Sequence, residues 1–556
     1  RDVLGSRGLG DVYKRQFKDK VIYQIYPKSY KDSNGDGIGD LKGIKEKLPY
    51  LNDLGIDMIW LNPIYPSPQK DNGYDISDYT AIDPIFGTME EFEQLIAEAK
   101  KYRIEIMLDM VLNHVSTEHE WFKKALAGDQ HYQDFFILRE EPTDWVSKFG
   151  GSAWSPFGDT GKYYLHLYDR TQADLNWRNQ AVREELFKVV RFWMEKGVKG
   201  FRFDVINVIG KDEQLKNNKE NDGKPEYTDK PITHTYLKEL NQATFGTDST
   251  IITVGEMSST TIENCILYTE PSREELSMVF NFHHLKVDYE NGNKWSTPPF
   301  DFAELKRLFH TWGEKMSEGN GWNALFFNNH DQPRALNRFV AIDQYRKQGA
   351  EMLATMIHLN RGTPYIYMGE EIGMIDPDYS SISDYIDVES LNAYKLLLEQ
   401  GFTEKEAFRR IKAKSRDNSR TPMQWSDTEQ AGFTTGKPWL KVGGKLEEIN
   451  VEKELSSEDS ILSYYKKLIR LRKTYPIVAQ GDYHAYEANH PEVYGFLRQF
   501  EGQQLLVLTN FYDKDTRIAI PEGFTEANIL IDNYSDTVLH QSLELKPYQA
   551  IALLKN

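Results

Sequence analysis

The chain has 556 residues, 40% of them hydrophobic and 27% charged, with 67 Lys and Arg against 85 Asp and Glu and a formal net charge of −18. That length exceeds one ordinary core and predicts a main domain with accessory ones, while the acidic surplus disfavours nucleic acid and anionic membranes as partners. With a single cysteine, Cys265, and no run of 18 apolar residues or signal-type h-region, an intramolecular disulfide is excluded and no membrane span or secretory signal is expected.

Residues 1–16, RDVLGSRGLGDVYKRQ, are polar and are expected to be a non-native leader outside the fold. A first strand is predicted at VIYQIYP (21–27), followed by DSNGDGIGD (32–40). Oxygen-bearing side chains at alternate positions, with glycines between them, suit a calcium loop. The loop is too short for an EF-hand and lacks its closing Glu. Further apolar, β-branched runs follow at DMIWLNP (57–63), EIMLDMV (105–111), GFRFDV (200–205), IITVGEM (251–257), MVFNF (278–282), ALFFNNHD (324–331) and TPYIYMGEE (363–371). Helical periodicity separates most of them, as in TMEEFEQLIAEAKKYR (88–103) and NQAVREELFKVVRFWMEKG (179–197). In the first of these, Thr88 and Glu91 have capping-box spacing.

Eight buried strands alternating with amphipathic helices predict an α/β chain whose core is a (β/α)8 TIM barrel. The stretch 114–199 is too long for one crossover helix and carries the aromatic-rich KFGGSAWSPFGDTGKYYLHLYD before QADLNW (172–177), so a small inserted domain is expected after strand 3. A helix is expected around YYKKLIRLRKTYP (464–476); beyond it, YGFLRQFEGQQLLVLTNF (494–511) opens a β-patterned run to the end. The expected division is barrel over 17–113 and 181–479, insert over 114–180, and a C-terminal antiparallel β-sandwich domain over 480–556.

Asp109, Asp204, Glu256 and Asp331 fall at the C-terminal ends of strands 3, 4, 5 and 7, with Arg202 and His330 beside two of them. A carboxylate at the end of a buried strand is costly unless paired or used, and several at one barrel mouth point to an active site.

The motifs DMVLNH (109–114), GFRFDVIN (200–207), TVGEM (253–257) and FFNNHDQPR (326–334) resemble the sequence regions of the α-amylase superfamily of retaining glycoside hydrolases. QADLNW, NGYDISDY (72–79) and KSRDNSRTPMQW (414–425) resemble its α-glucosidase branch. The segments GEMSSTTIENCILYT (255–269) and ELSMVFNFHHLKVDYENGNKW (275–295) look like those of the phospho-α-(1,1)-glucosidases rather than the oligo-1,6-glucosidases.

The resemblance implies Asp204 as nucleophile, Glu256 as general acid/base with a raised pKa, and Asp331 as the residue holding ring hydroxyls. It implies that Arg202 keeps Asp204 ionised, and that Asp75, His114, His330 and Arg416 hold the glucose, with Phe149 and Gln172 as pocket walls and Arg420 pinning its loop. The insert is then domain B and the C-terminal part domain C. The implied calcium ligands are Asp32, Asn34, Asp36, the Ile38 carbonyl and Asp40, in a structural role, with no organic cofactor. A phosphate monoester wants charge-assisted donors, and Lys286 and Lys294 in the segment after strand 6 are expected to supply them. The expected partner is a phosphorylated disaccharide, trehalose 6-phosphate, split into glucose and glucose 6-phosphate by a cytoplasmic monomer. An oligo-1,6-glucosidase or dextran glucosidase acting on isomaltose-type sugars is the alternative.

Overall fold

Eight short strands form on the apolar runs: β1 (Ile22–Ile25), β2 (Met58–Leu61), β3 (Glu105–Met110), β4 (Gly200–Phe203), β5 (Ile252–Glu256), β6 (Met278–Phe280), β7 (Ala324–Leu325) and β8 (Thr363–Tyr367). All their residues except Glu105 are buried, as parallel strands covered on both faces must be. The structure is a computed structural model and describes residues 17–556, so the expected leader at 1–16 lies outside the described residues. The strand order is β6-β5-β4-β3-β2-β1-β8-β7, that of a (β/α)8 barrel.

Contacts divide the chain into two compact units. One comprises Trp60–Lys101 and Glu105–Phe282, the other 17–59, Tyr102–Ile104 and His283–Asn556, with β2 divided between them. In the first unit β3, β4, β5 and β6 pair in parallel, with Asp109 level with Arg202, Gly255 with Phe203 and Glu256 with Phe280. In the second unit β8 pairs with β1 and with β7.

The helices end where local chemistry ends them. The expected helix 88–103 is observed at Met89–Lys101, with Thr88 N donating to Glu91 at 3.1 Å and Glu91 N to the Thr88 hydroxyl at 3.2 Å, the reciprocal pair of a capping box. Asn179 caps the helix Gln180–Glu195 through Ala181 N. Strand β7 is shorter than its apolar run, and past Leu325 Asn and His side chains, rather than a ladder, bond the backbone. His284 Nε2 bonds the Phe326 carbonyl at 2.7 Å, Asn328 accepts from Ala335 N at 2.8 Å, and Asn329 accepts from Asp331 N at 2.9 Å.

Between β3 and β4, His114–Ser116 pairs antiparallel with Gln172–Asp174, and Leu138–Arg139, Tyr163–Leu165 and Trp154–Pro156 form a three-stranded sheet. Its core of Trp145, Ala153, Trp154, Leu165 and Leu167 is completed by Val205, Val208 and Tyr227, so this insert packs on the segment that follows Asp204.

The C-terminal part of the second unit is antiparallel. Five strands, His484–Tyr486 to Ala550–Lys555, make one sheet, and Thr516–Ala519 pairs with Ser542–Leu545 in another. Leu506, Leu508, Ile551 and Leu553 of the first share a core with Ile518, Leu543 and Leu545 of the second. The fully buried Arg498 joins this sheet to helix ends by donating to the carbonyls of Leu359 (2.8 Å), Val478 (3.0 Å), Gly481 (2.6 Å) and Asp482 (2.6 Å). Carbonyls at helix C-termini lack intrahelical partners, and one guanidinium with five donors satisfies four.

Glu351, on the helix Ile342–His358, is buried, which pushes its carboxyl up to about 8 against the opposing Lys347, 3.5 Å away. The folded chain therefore keeps a proton that the unfolded chain loses above its ordinary carboxyl pKa, so this group costs stability increasingly from about pH 4.5 to 8. Glu351→Gln is expected to match the parent in chemical denaturation at pH 4.5 and to exceed it by up to a few kcal/mol at pH 8.5. A difference independent of pH would count against a buried protonated Glu351.

Candidate active site

Parallel register builds the first group of side chains. Arg202 and Asp204 lie two apart on one strand face, and Asp109 is level with Arg202 on the neighbouring strand. Arg202 Nη1 donates to Asp109 Oδ1 at 2.9 Å and to Asp204 Oδ1 at 2.6 Å, while Nη2 pairs with Glu256. Trp60 Nε1 and the Tyr74 hydroxyl bond the other Asp109 oxygen at 3.2 and 2.8 Å, and the Trp60 ring lies 5.0 Å from the guanidinium carbon. Side-chain exposure grades from 1% for Arg202 and 0% for Asp109 to 10% for Asp204 and 9% for Glu256. The latter two are thus the carboxylates presented outward.

One cation faces three carboxylates here. Burial pushes Asp109 up, with Arg202 opposing, and although burial disfavours the guanidinium charge, Asp109, Tyr74 and Asp204 hold Arg202 above its ordinary value. Three buried negative charges on one positive charge favour retention of a proton within the cluster. The backbone then reverses sharply: Val205, next after Asp204, has φ 37° and ψ 40°, a left-handed conformation that is costly for a β-branched residue.

His114 is buried, and burial brings it down to about 4, so it is neutral at pH 7. Gln172 Nε2 lies 3.4 Å from His114 Nε2 and donates to Asp71 Oδ2 at 3.1 Å. Phe149 packs edge-on against Tyr168 at 5.6 Å, and Tyr168 against His114 at 5.3 Å. Asp75 is not part of this group. It is fully buried, and its carboxylate accepts from the Ser67 hydroxyl and from the amides of Lys70 and Asp71, closing its own turn. The carboxylate that meets Gln172 is Asp71, four residues earlier in the same turn.

The second unit holds the other motif residues. His330 bonds Gln24 Nε2 through Nδ1 at 2.9 Å, and its Nε2 lies 3.2 Å from Asp331 Oδ2. Arg420 Nη2 donates to Asp331 Oδ1 at 3.0 Å and its Nε to the His330 carbonyl at 2.7 Å, whereas Arg416 Nη1 is 3.5 Å from Asp331. Arg420 therefore does more than pin its loop, because it is the nearer cation to Asp331. Both arginines converge on Asp387, at 2.6 Å for Arg416 and 3.6 Å for Arg420, and against its burial they hold that carboxyl well below the usual range. Sequence reasoning missed Asp387; the signal was an N-capping Asp directly before VESLNAYKLLLE (388–399).

Lys294 forms an ion pair with Glu389 and lies 5.1 Å from the Trp295 ring; Glu389 lies 3.8 Å from Arg416 Nε. Lys286 is exposed. Its segment is fastened by Arg338, which bonds the Leu285 carbonyl and Asp288, and by Lys414, 2.8 Å from Asp288.

In the loop 32–40, Asp32 accepts from the amides of Asn34, Gly35 and Gly37 and from the Thr434 hydroxyl. Against burial these bonds hold its carboxyl below the ordinary value. Asn34 and Asp36 accept from the amides two residues on, and Asp40 from Ser33 and Gly43. Among the described residues no three His, Cys, Asp or Glu side chains gather into a metal cluster. The donor chemistry still fits calcium, since the set is all oxygen and each bonded carboxylate oxygen keeps a second lone pair.

Residues 24–481 match the family described as alpha amylase, catalytic domain, and residues 493–552 match the alpha-amylase SusG C-terminal domain. Trehalose-6-phosphate hydrolase of Bacillus subtilis strain 168 is 49% identical over 546 residues, covering 96% of this chain and 97% of the relative. An oligo-1,6-glucosidase of Bacillus cereus is 44% identical over 553 residues, 97% of this chain and 99% of the relative. The crystal structure of Bacillus licheniformis trehalose-6-phosphate hydrolase superposes with a TM-score of 0.93 at 51% identity, over 97% of this chain and 99% of that one. With a catalytic family match over most of its length and relatives of this identity aligned end to end, the chain belongs to the alpha-amylase family of glycoside hydrolases.

Proposed function

We propose that this chain hydrolyses trehalose 6-phosphate to glucose and glucose 6-phosphate by double displacement. The observation that carries the reaction class is the shared guanidinium of Arg202, which holds Asp204 and Glu256 side by side as the two more exposed carboxylates of their cluster. Asp204 attacks the anomeric carbon while the proton of Glu256 passes to the departing glycosidic oxygen, giving a glycosyl ester. Glu256 then takes a proton from water as that water attacks the same carbon and frees Asp204. Asp331, on the family motif alone, holds the ring hydroxyls.

The choice of a phosphorylated substrate rests on the names of the relatives and on the lysines. Lys294 connects through Glu389 to Arg416, which also reaches Asp331 and Asp387, so a cation for the leaving sugar lies on the same charge network as a sugar-binding carboxylate. Lys286 is exposed on a fastened segment. The oligo-1,6-glucosidase reading is the second one, favoured by the 44% identity to such an enzyme. The setting we propose is the cytoplasm, where the unpaired Cys265 would stay reduced, and the acting form is a monomer. Calcium would be held by Asp32, Asn34, Asp36, the Ile38 carbonyl and Asp40 and would stiffen the loop without entering the reaction.

Asp204→Asn is expected to lower kcat by roughly 10⁴-fold or more with an unchanged melting temperature, and Glu256→Gln to slow poor leaving groups far more than an activated aryl glucoside. An Asp204→Asn enzyme within about tenfold of the parent would remove that residue from the role.

For specificity, purified protein should be assayed on trehalose 6-phosphate, trehalose and isomaltose. A hydrogen bond to a charged group contributes about 1.5–3 kcal/mol, so Lys286→Ala should reduce kcat/KM roughly 10–150-fold for the phosphorylated sugar alone. A parent enzyme preferring isomaltose would promote the second reading. For the metal, titration calorimetry with calcium should register binding, and a chelator should lower the melting temperature with little change in initial rate. Neither response would leave a loop held by its own amides.

A further inference from the structure

The segments that follow Asp204 and Glu256 are joined by one side chain. Asn207 is fully buried, three residues after Asp204. Its Oδ1 accepts from Ser258 N at 2.8 Å and its Nδ2 donates to the Ser258 carbonyl at 2.9 Å. The side-chain amide thus pairs with the main chain of Ser258, two residues after Glu256, as one peptide group pairs with another in a sheet. Nδ2 also donates to Asp229 Oδ1 at 3.1 Å, and the Asn207 carbonyl accepts from Asp229 N at 2.9 Å. Asp229 is braced in turn by the Tyr268 hydroxyl at 2.8 Å and the Thr260 hydroxyl at 2.9 Å. Lys148 donates to the Ser258 hydroxyl at 2.8 Å.

Two backbone features explain why such a clamp is needed. Beyond β4 the chain leaves the sheet through the left-handed Val205, and beyond β5 it does so through Ser259, with φ 53°. Ladder bonds fix Asp204 and Glu256 only up to those points: Asp204 N bonds the Met110 carbonyl at 2.9 Å and Met257 N the Phe280 carbonyl at 3.1 Å. Strained turns persist only where the surroundings over-determine them. Here the amide–peptide pairing does so for both turns at once.

We propose that Asn207 is a positioning residue, which by clamping Ser258 sets where Glu256 stands relative to Asp204 during both displacements. It touches neither substrate nor the reacting atoms. The inference rests on reading Asp204 and Glu256 as the reacting carboxylates. Only an amide serves, because the position must accept from one peptide N–H and donate to one peptide C=O. Aspartate would lose the donor and face the Asp229 carboxylate.

The test compares Asn207→Ala and Asn207→Asp with the parent, counting competent sites by a covalent glycosyl-fluoride inactivator so that misfolded protein is excluded. A displacement of about 1 Å can cost 10²-fold, so kcat per titrated site on the disaccharide is expected to fall roughly 30–300-fold in Asn207→Ala and at least about tenfold in Asn207→Asp, with KM within about threefold. With an activated aryl glucoside, whose departure needs no proton, the first displacement should survive and water attack should slow, giving a burst of about one phenol per site. A kcat per site within about threefold of the parent in Asn207→Ala, or a loss without a burst, would overturn the assignment. Asp204→Asn, which the inactivator cannot label and which is therefore assayed per mole of folded protein, separates the two ideas. If it retains turnover, the reading of the carboxylates fails; if it is dead while Asn207→Ala is normal, only the clamp fails.

Discussion

A guanidinium buried beneath three carboxylates is the constraint around which the first unit is organised. Arg202 cannot leave its charge unpaired at 1% exposure, and Asp109, Asp204 and Glu256 cannot all be ionised there without it. Arginine suits the position because its planar fork turns Nη1 to Asp109 and Asp204 and Nη2 to Glu256, a spread that the single nitrogen of a lysine does not offer. Trp60 and Tyr74 fix the buried end by bonding Asp109, and the register of β3, β4 and β5 fixes the rest. Barrel geometry and site electrostatics are therefore one requirement: a shift of one residue in any of these strands would turn its carboxylate to the opposite face.

The second unit repeats the device with a different charge balance. Asp387, fully buried, takes the place of Asp109, and Arg416 and Arg420 take that of Arg202, with Asp331 presented at 29% exposure. Glu389 lies 3.8 Å from Arg416 and pairs with Lys294, so this group sets three cations, rather than one, against its carboxylates. The first group, with three acids on one cation, is the one poised to keep a proton. That difference matches the chemistry proposed for each: proton transfer needs an acid that holds a proton, whereas binding hydroxyls needs an acceptor that does not.

Much of this was legible in the sequence, for stated reasons. Apolar runs located all eight strands and 3.6-residue periodicity the helices Met89–Lys101, Gln180–Glu195 and Ile461–Thr474, though not Phe302–Glu318 or Ile342–His358; carboxylates closing apolar runs singled out Asp204, Glu256 and Asp331, because burying such groups is costly enough to be informative. What escaped was which partner each buried polar group takes. Asp71 and Asp75 stand in one turn, and the spacing of NGYD does not say that Asp75 is consumed by local amides while Asp71 reaches Gln172. Asp387 was not singled out, because an Asp before a helix is an ordinary N-cap, which it also is. Strand β7 was overestimated because an apolar run reports burial, and Asn328 and Asn329 supply buried bonds without a ladder. Arg498 gave no signal at all, since its four carbonyl partners are main chain.

Under the proposed reading, substrate choice depends on how a chain of net charge −18 accepts an anion. A local cation must offset the general repulsion, but a lysine already paired does so only by exchange. Lys294 begins from an ion pair with Glu389, so a phosphate gains there the difference between its own attraction and that of a carboxylate. Lys286 is exposed and carried on a segment fastened by Arg338 and Lys414 through Asp288. Selectivity is a difference between partners, and a neutral disaccharide leaves the Lys294–Glu389 pair intact. Lys294, linked through Glu389 to Arg416 and so to Asp331, is better suited to coupling occupancy of the leaving-sugar site to the carboxylate that grips the glucose.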